Sequence, residues 1–200
     1  MSGSIVSAAE MAQSLGLTAR WELVDVPMTF PVANRPIRVV AVVEMRNRDR
    51  DTAWPKMVRG LAGVLALHPD ERVLVHTVSY DLAEYLRANL PPSVTEGRAI
   101  CTYTGARERD EALARYKATP GAVMLAPSMD RGVDLKGDLC DVVVICKVPF
   151  PNLGDKRTSA RLRSPGGQAW YNVQTVRTIM QMTGRGVRSE DDHCTTYILD

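Results

Sequence analysis

Asp141-Val142-Val143-Val144-Ile145-Cys146 is the most apolar run in the chain. Four β-branched residues follow one another with no polar interruption. Such a run buries both of its faces, which is the position of a central strand in a parallel sheet. Outward from it the same kind of segment recurs. Arg72-Val-Leu-Val-His76, Ala99 to Tyr103, Ala122-Val-Met-Leu-Ala126 and Thr195-Thr-Tyr-Ile-Leu199 read as strands, and Ile37 to Val43 as another. Between them lie amphipathic stretches of helical period. One starts near Thr52, a plausible N-cap, with Pro55 in its first turn and Val58, Leu61 and Leu65 on one face. A second follows Ser79, carries Leu82, Tyr85, Leu86 and Leu90, and stops at Pro91-Pro92. A charged helix spans about 106–118, and a last one runs over 168–182 with Trp170, Val173, Val176 and Met180 spaced for burial. Strands alternating with helices in this way predict an α/β domain with a mainly parallel central sheet flanked by helices.

Composition agrees with a packed domain. Apolar residues make up 45% of the 200 and charged residues 24%, ordinary values that argue against disorder. A formal charge of +2 is too small to demonstrate a polyanion partner, so any basic surface is local. No apolar run reaches the roughly 18 residues of a membrane span. The start, Met1-Ser-Gly-Ser-Ile5, has neither a basic n-region nor an h-region. An intracellular, cytoplasmic and nucleoid-associated location is expected, with no membrane partner. Cys101, Cys140, Cys146 and Cys194 have no CxxC spacing and read as buried free thiols. His68, His76 and His193 share no ligand spacing, and no metal site is expected. Near the N-terminus, residues 8–17 read as a short helix ending at Gly16. Pro27, Pro31 and Pro36 then punctuate an extended arm. Arg46, Arg48 and Arg50 alternate with Asn and Asp and read as a solvated loop.

Ligands of parallel α/β sheets meet the loops at the carboxyl ends of the strands. Thr77, Ser79 and Tyr80 follow the strand 72–76, Thr104 and Gly105 follow 99–103, and Ser128 opens the loop after 122–126. That loop continues Asp130-Arg131-Gly132-Val133-Asp134. Hydroxyls, glycine amides and a few cations on one edge suit a sugar-phosphate backbone gripped without base reading. Each serine taken alone also serves as a helix cap. At the end of the last helix stands Gln181-Met-Thr-Gly184-Arg185-Gly186-Val-Arg188. Arginine is permanently charged and offers a planar fork of donors, so two of them three apart suit polyphosphate. By themselves they also suit a helix C-terminus, complementing its dipole. Glu190-Asp191-Asp192-His193 reads as a solvated loop. No G-x-x-x-x-G-K-[ST] is present, so the chain has no P-loop of its own.

Taken together these segments resemble the C-terminal, second RecA-like half of a superfamily 2 helicase of the XPD/DinG branch. Met1 to Ile5 resembles the family's motif III, although Ser2-Gly3-Ser4 departs from the usual Ser-Ala-Thr. Phe30-Pro31 with Asn34-Arg35-Pro36 resembles its Pro-Phe…Glu-Asn-Arg stretch. Val73 to Tyr80 resembles motif IV, Arg131 to Asp134 through Pro149-Phe150-Pro151 resembles motif V and its sequel, and Gln181 to Arg188 resembles motif VI. The resemblance implies two parts: a motif III-like segment and connecting arm at 1–36, and a RecA-like motor domain at 37–200. It implies that ATP and Mg2+ are held mainly by a Walker-bearing first motor domain, in cis or in trans. The chain is then either cut from a longer helicase or one half of a split one. Arg188 and Arg185 are implied as arginine fingers reaching the γ-phosphate, and Gln181 as a group orienting nucleotide or water. Gly132, Asp134 and Gly184 are implied in ATP binding and coupling. Thr77, Ser79, Thr104 and Ser128 are implied as contacts to single-stranded DNA. Lys156, Arg157, Arg161 and Arg163 read equally as added positive charge along that track or as surface residues. The implied function is one half of an ATP-dependent DNA helicase, moving 5′ to 3′ and inactive alone. The rival is a non-catalytic nucleic-acid-binding or regulatory module on the same fold.

Overall fold

The computed structural model describes residues 6–24, 26, 30–46, 49–128, 135, 137–183, 186–187 and 189–200. It divides into two compact units. One holds residues 1–29 and 149–181, the other 30–148 and 182–200.

The larger unit is built on six strands: β1 (Ile37–Val39), β2 (Val73–His76), β3 (Ile100–Cys101), β4 (Val123–Ala126), β5 (Val142–Ile145) and β6 (Thr195–Ile198). They form one sheet in the order β1-β6-β5-β2-β4-β3, and every pairing is parallel. The run that stood out in the sequence is central. β5 lies between β6 and β2, with Val142 level with both Val73 and Thr195. All four residues of β5, of β2 and of β4 are buried.

Side chains of a strand alternate between faces, and the core follows that alternation. Val73, Val75, Val123, Leu125, Val142, Val144, Tyr197 and Leu199 belong to one cluster with residues of three helices. These are α2 (Arg50–Leu67), which contributes Met57, Leu61 and Leu65; α3 (Tyr80–Asn89), with Leu82 and Leu86; and α4 (Pro92–Thr95), with Val94. Burying each leucine contributes about 1.5–3 kcal/mol. Another helix, α5 (Ala106–Ala118), supplies the fully buried Tyr116, whose hydroxyl donates to Leu139 O at 2.9 Å. Burial raises the Tyr116 pKa well above the ordinary phenol value.

Two arginines staple the amino ends of the strands. Arg98 donates to Gly121 O (2.8 Å), His68 O (2.9 Å), Glu71 O (2.7 Å) and Leu65 O (3.4 Å). Arg72 donates to Lys117 O (3.3 Å) and Thr119 O (3.3 Å) and pairs with Asp138 at 3.1 Å. A guanidinium at the end of α5 neutralises the carbonyls that a helix C-terminus leaves open.

Several elements depart from the sequence reading. α2 begins at Arg50 after the N-cap Asp49, so Thr52 lies inside the first turn, its hydroxyl donating to Asp49 O at 3.1 Å. β1 is an edge strand, and Ile37 and Val39 are 54% and 70% exposed. The chain nevertheless stays extended beyond it, with Val40 N–H bonded to Ile198 O and Val42 N–H to Leu199 O. All four cysteines are free and buried, as expected.

The smaller unit contains α1 (Ala8–Ser14), α6 (Lys156–Leu162) and α7 (Gly167–Thr183), of which Met182 and Thr183 count with the larger unit. Arg161 bonds Glu10 (3.3 Å) and Ser14 (3.1 Å), its guanidinium carbon 5.6 Å from the Trp170 ring centre. Gly167 sits so close to the carbonyls of Arg161 and Leu162 that a Cβ there would collide with both. Tyr171 stacks on Phe150 at 5.7 Å and donates to Pro151 O at 2.9 Å. The buried side of α7 carries Tyr171 and Thr175, while Val176 and Met180 are 42% and 47% exposed, against expectation. Thr175 is at home there because its hydroxyl donates to Tyr171 O.

Candidate nucleic-acid interface

Beyond His76 the chain turns sharply. Thr77 is buried, its N–H bonded to Ala126 O at 3.1 Å and its hydroxyl donating to Ser79 O at 3.0 Å. Val78 has φ 58°. A β-branched residue in the left-handed region is strained by about 1–3 kcal/mol, and the flanking bonds of Thr77 hold it there. The turn delivers Ser79 in an extended conformation as N-cap of α3, its hydroxyl oxygen accepting from Leu82 N–H at 3.3 Å. Among the described residues nothing takes the serine proton.

Ser128 leaves β4 beside this turn, held by two phenols. Tyr103 OH accepts from Ser128 N–H at 3.2 Å and lies 3.4 Å from Ser128 Oγ; Tyr80 OH lies 3.3 Å from the same oxygen. The two rings meet edge-on, 6.1 Å apart at 82°. After β3, Thr104 turns into α5. Its N–H and its hydroxyl both donate to Glu108 Oε2, at 2.9 and 2.8 Å. These two bonds, the backbone one first, hold the Glu108 pKa below its ordinary value. Beside them a cavity of about 450 Å³ runs between α3 and α5 along the outer side of β3, lined by Thr102, Tyr103, Thr104 and Glu108 among others.

The structure thus brings Thr77, Ser79, Thr104 and Ser128 to the carboxyl ends of three neighbouring strands, β2, β4 and β3. They are not equivalent. Ser79 and Ser128 lie at the rim, Thr104 is exposed with its hydroxyl committed to Glu108, and Thr77 shapes the turn from inside. Sequence reasoning passed over Tyr103, whose only signal was an aromatic ring one residue before Thr104. It also passed over Asp200. That carboxylate accepts Met45 N–H on one oxygen and Val148 N–H on the other, both at 2.7 Å. It ties together the segments that follow β1 and β5.

Two arginines of the basic cluster have acidic partners. Arg46 pairs with Glu44, and Arg50 pairs with Asp81 at 3.2 Å and lies over Trp54 at 5.2 Å. With Lys147 they line a small cavity next to Ser79. Arg48 lies outside the described residues, as do Met1 to Ile5, Pro27 and the stretch Met129 to Asp134, which includes Gly132 and Asp134. Leu135, at the end of that stretch, is fully buried.

Of the octet, Gly184, Arg185 and Arg188 lie outside the described residues. Gln181 occupies the last turn of α7, and its Oε1 is buried with no hydrogen-bond partner among the described residues. Gly186 is buried, and a Cβ on it would collide with Cys140 O and Cys194 Sγ. Tight packing between two buried cysteines therefore requires this glycine. The acidic stretch 190–193 is mostly exposed, with Asp192 accepting from Ser189 N–H and Glu190 O from Asn34 Nδ2, both at 2.8 Å. Among the described residues no cluster of His, Cys, Asp or Glu could hold a metal, and no helix is long and apolar enough to cross a membrane.

Residues 61–200 match the family of helicase C-terminal domains. The ATP-dependent DNA helicase YoaA of Escherichia coli (strain K12) is 31% identical over 133 residues, covering 62% of this chain and 20% of that protein. The ATP-dependent DNA helicase CHL1 of Saccharomyces cerevisiae (strain YJM789) is 23% identical over 168 residues, 72% of this chain and 19% of that one. The chain thus spans about a fifth of the length of these curated relatives. In fold, an XPD helicase superposes over 100% of this chain and 38% of its own with a TM-score of 0.69 at 17% identity. The RNA- and ADP BeF3-bound Dbp5 of S. cerevisiae covers 98% of this chain and 43% of its own, with a TM-score of 0.60 at 12% identity.

Proposed function

The chain belongs to the helicase C-terminal domain family, among XPD/DinG-like helicases with a RecA-like fold, and from that premise we propose that it is the second motor half of an ATP-dependent DNA helicase. In this reading residues 37–200 form the motor domain, with 1–36 as its leading arm. The domain grips single-stranded DNA and completes a nucleotide site whose Walker elements sit on a partner half. The observation that carries the reading is the convergence of Ser79, Thr104 and Ser128 on the carboxyl ends of three adjacent strands, within a chain that bears the family's motifs. The Ser79 hydroxyl leads that contact to phosphate, since the Thr104 hydroxyl is held by Glu108, and such contacts leave base identity unread.

ATP, with Mg2+ on the Walker-bearing half, supplies the phosphoryl group whose cleavage drives movement. Toward it this chain contributes donors. Arg188 and Arg185 meet charge that grows on the transferred group, which lowers the transition state more than the ground state. Gln181 offers a buried carbonyl oxygen with no partner among the described residues, an acceptor suited to a water or a hydroxyl. In this reading Gly184 belongs to ATP binding, and Gly132 and Asp134 couple the nucleotide site to the strand track.

ATP hydrolysis tests this, measured with and without single-stranded DNA for the chain alone and for the chain joined to its Walker-bearing half. Silence alone is expected, then DNA-stimulated turnover in the joined form that Arg188→Ala lowers by roughly 10³- to 10⁵-fold. Turnover by the chain alone would sink the half-motor reading. An Arg188→Ala form of undiminished activity would point to the non-catalytic binding module.

A further inference from the structure

We propose that the ring of Tyr80 is a stacking platform for one unpaired nucleobase of the bound strand, a role that rests on reading this sheet edge as a nucleic-acid interface. Tyr80 is the first residue of α3 and stands 43% exposed at the rim. An exposed tyrosine is ordinarily free to change rotamer. This one is fixed at both ends. Its hydroxyl lies against Ser128 Oγ (3.3 Å), and its ring meets Tyr103 at 82°. Tyr103 is itself buried and tied to Ser128 N–H. On the chain side, the strained turn at Val78 and the cap formed by Ser79 set where α3 starts.

An aromatic surface held rigid before its ligand arrives loses little freedom on binding. Its flat face accepts any base, because every base has a π-face. The hydrogen bonds point to the same ligand. Ser128 N–H donates to Tyr103, and the hydroxyls of Tyr103, Ser128 and Tyr80 share two further contacts in which either oxygen can donate. Three protons for two contacts leave one hydroxyl of the set able to donate to an oxygen of the same nucleotide. A duplex keeps its bases paired and stacked on one another, so the platform selects single strands without selecting sequence.

The test measures binding of the full 200-residue chain to a fluorescent oligodeoxythymidine and to an abasic strand of equal length. Wild type is expected to prefer the base-bearing strand. Tyr80→Leu should weaken that complex roughly 5- to 150-fold and leave the abasic complex nearly unchanged, while Tyr80→Phe keeps most of the preference. Independently of any variant, irradiation of wild type with a strand carrying 5-iododeoxyuridine should cross-link at Tyr80, located by peptide mass mapping. Equal binding of both strands, or cross-links only elsewhere, would overturn the platform and leave the interface intact. Binding of neither strand would remove the interface reading itself, and the platform with it.

Discussion

At the scale of single residues, space and hydrogen-bond count decide more than charge does. Gly186 lies between two arginines of a phosphate-suited octet, yet what requires it is the buried wall of Cys140 and Cys194. Gly186→Ala should therefore cost about 1–3 kcal/mol of stability through overpacking, seen as a lower denaturation midpoint in this chain without any nucleotide. An unchanged midpoint would return the glycine to a purely functional role. Asp200 acts through both carboxylate oxygens. Replacing it with Asn puts an amide donor against Met45 N–H or Val148 N–H, and should cost about 1–3 kcal/mol. Urea titration of Asp200→Asn checks this. Neither feature is visible along the chain, since each depends on a partner more than 40 residues away in sequence, Cys140 for Gly186 and Val148 for Asp200.

At the scale of elements, the strands were legible because buried parallel strands must be apolar throughout. Helix faces and ends were less so. The buried side of α7 carries Thr175, which hides its hydroxyl on Tyr171 O, so a count of apolar spacing selected Val176 and Met180 instead. The joint between β3 and α5 yields a pH prediction. Glu108 is bound by Thr104 N–H and hydroxyl, which hold its pKa below the ordinary glutamate value. A depressed carboxylate holds its bonds at and above the unfolded value and loses them as pH falls through the folded one. The Thr104 amide resonance should thus titrate with a midpoint below the ordinary glutamate value. A midpoint at or above that value would mean the latch does not form in solution. At the amino ends of the strands, Arg98→Lys should cost about 1–3 kcal/mol, because an ammonium cannot reach four carbonyls that a planar fork serves. Thermal denaturation measures this.

At the scale of the molecule, a formal charge of +2 and the hydroxyls and phenols of the proposed interface predict a strand grip that depends little on counterion release. For single strands the salt slope is about −0.7 per neutralised phosphate. Binding of oligodeoxythymidine by this chain should thus show a log–log slope no steeper than about −2. A slope beyond about −4 would reveal a basic track instead. The α/β class, the parallel sheet and the motif order were determined by the sequence alone. Each is written in local patterns: apolar runs, helical periods, caps, and glycines beside arginines. Only the tertiary structure decided that β6 enters between β1 and β5, that Tyr80 and Tyr103 converge on Ser128, and that Asp200 clasps two loops. Those relations join residues far apart in the chain, and packing and hydrogen-bond satisfaction choose among such pairings in ways no local pattern records.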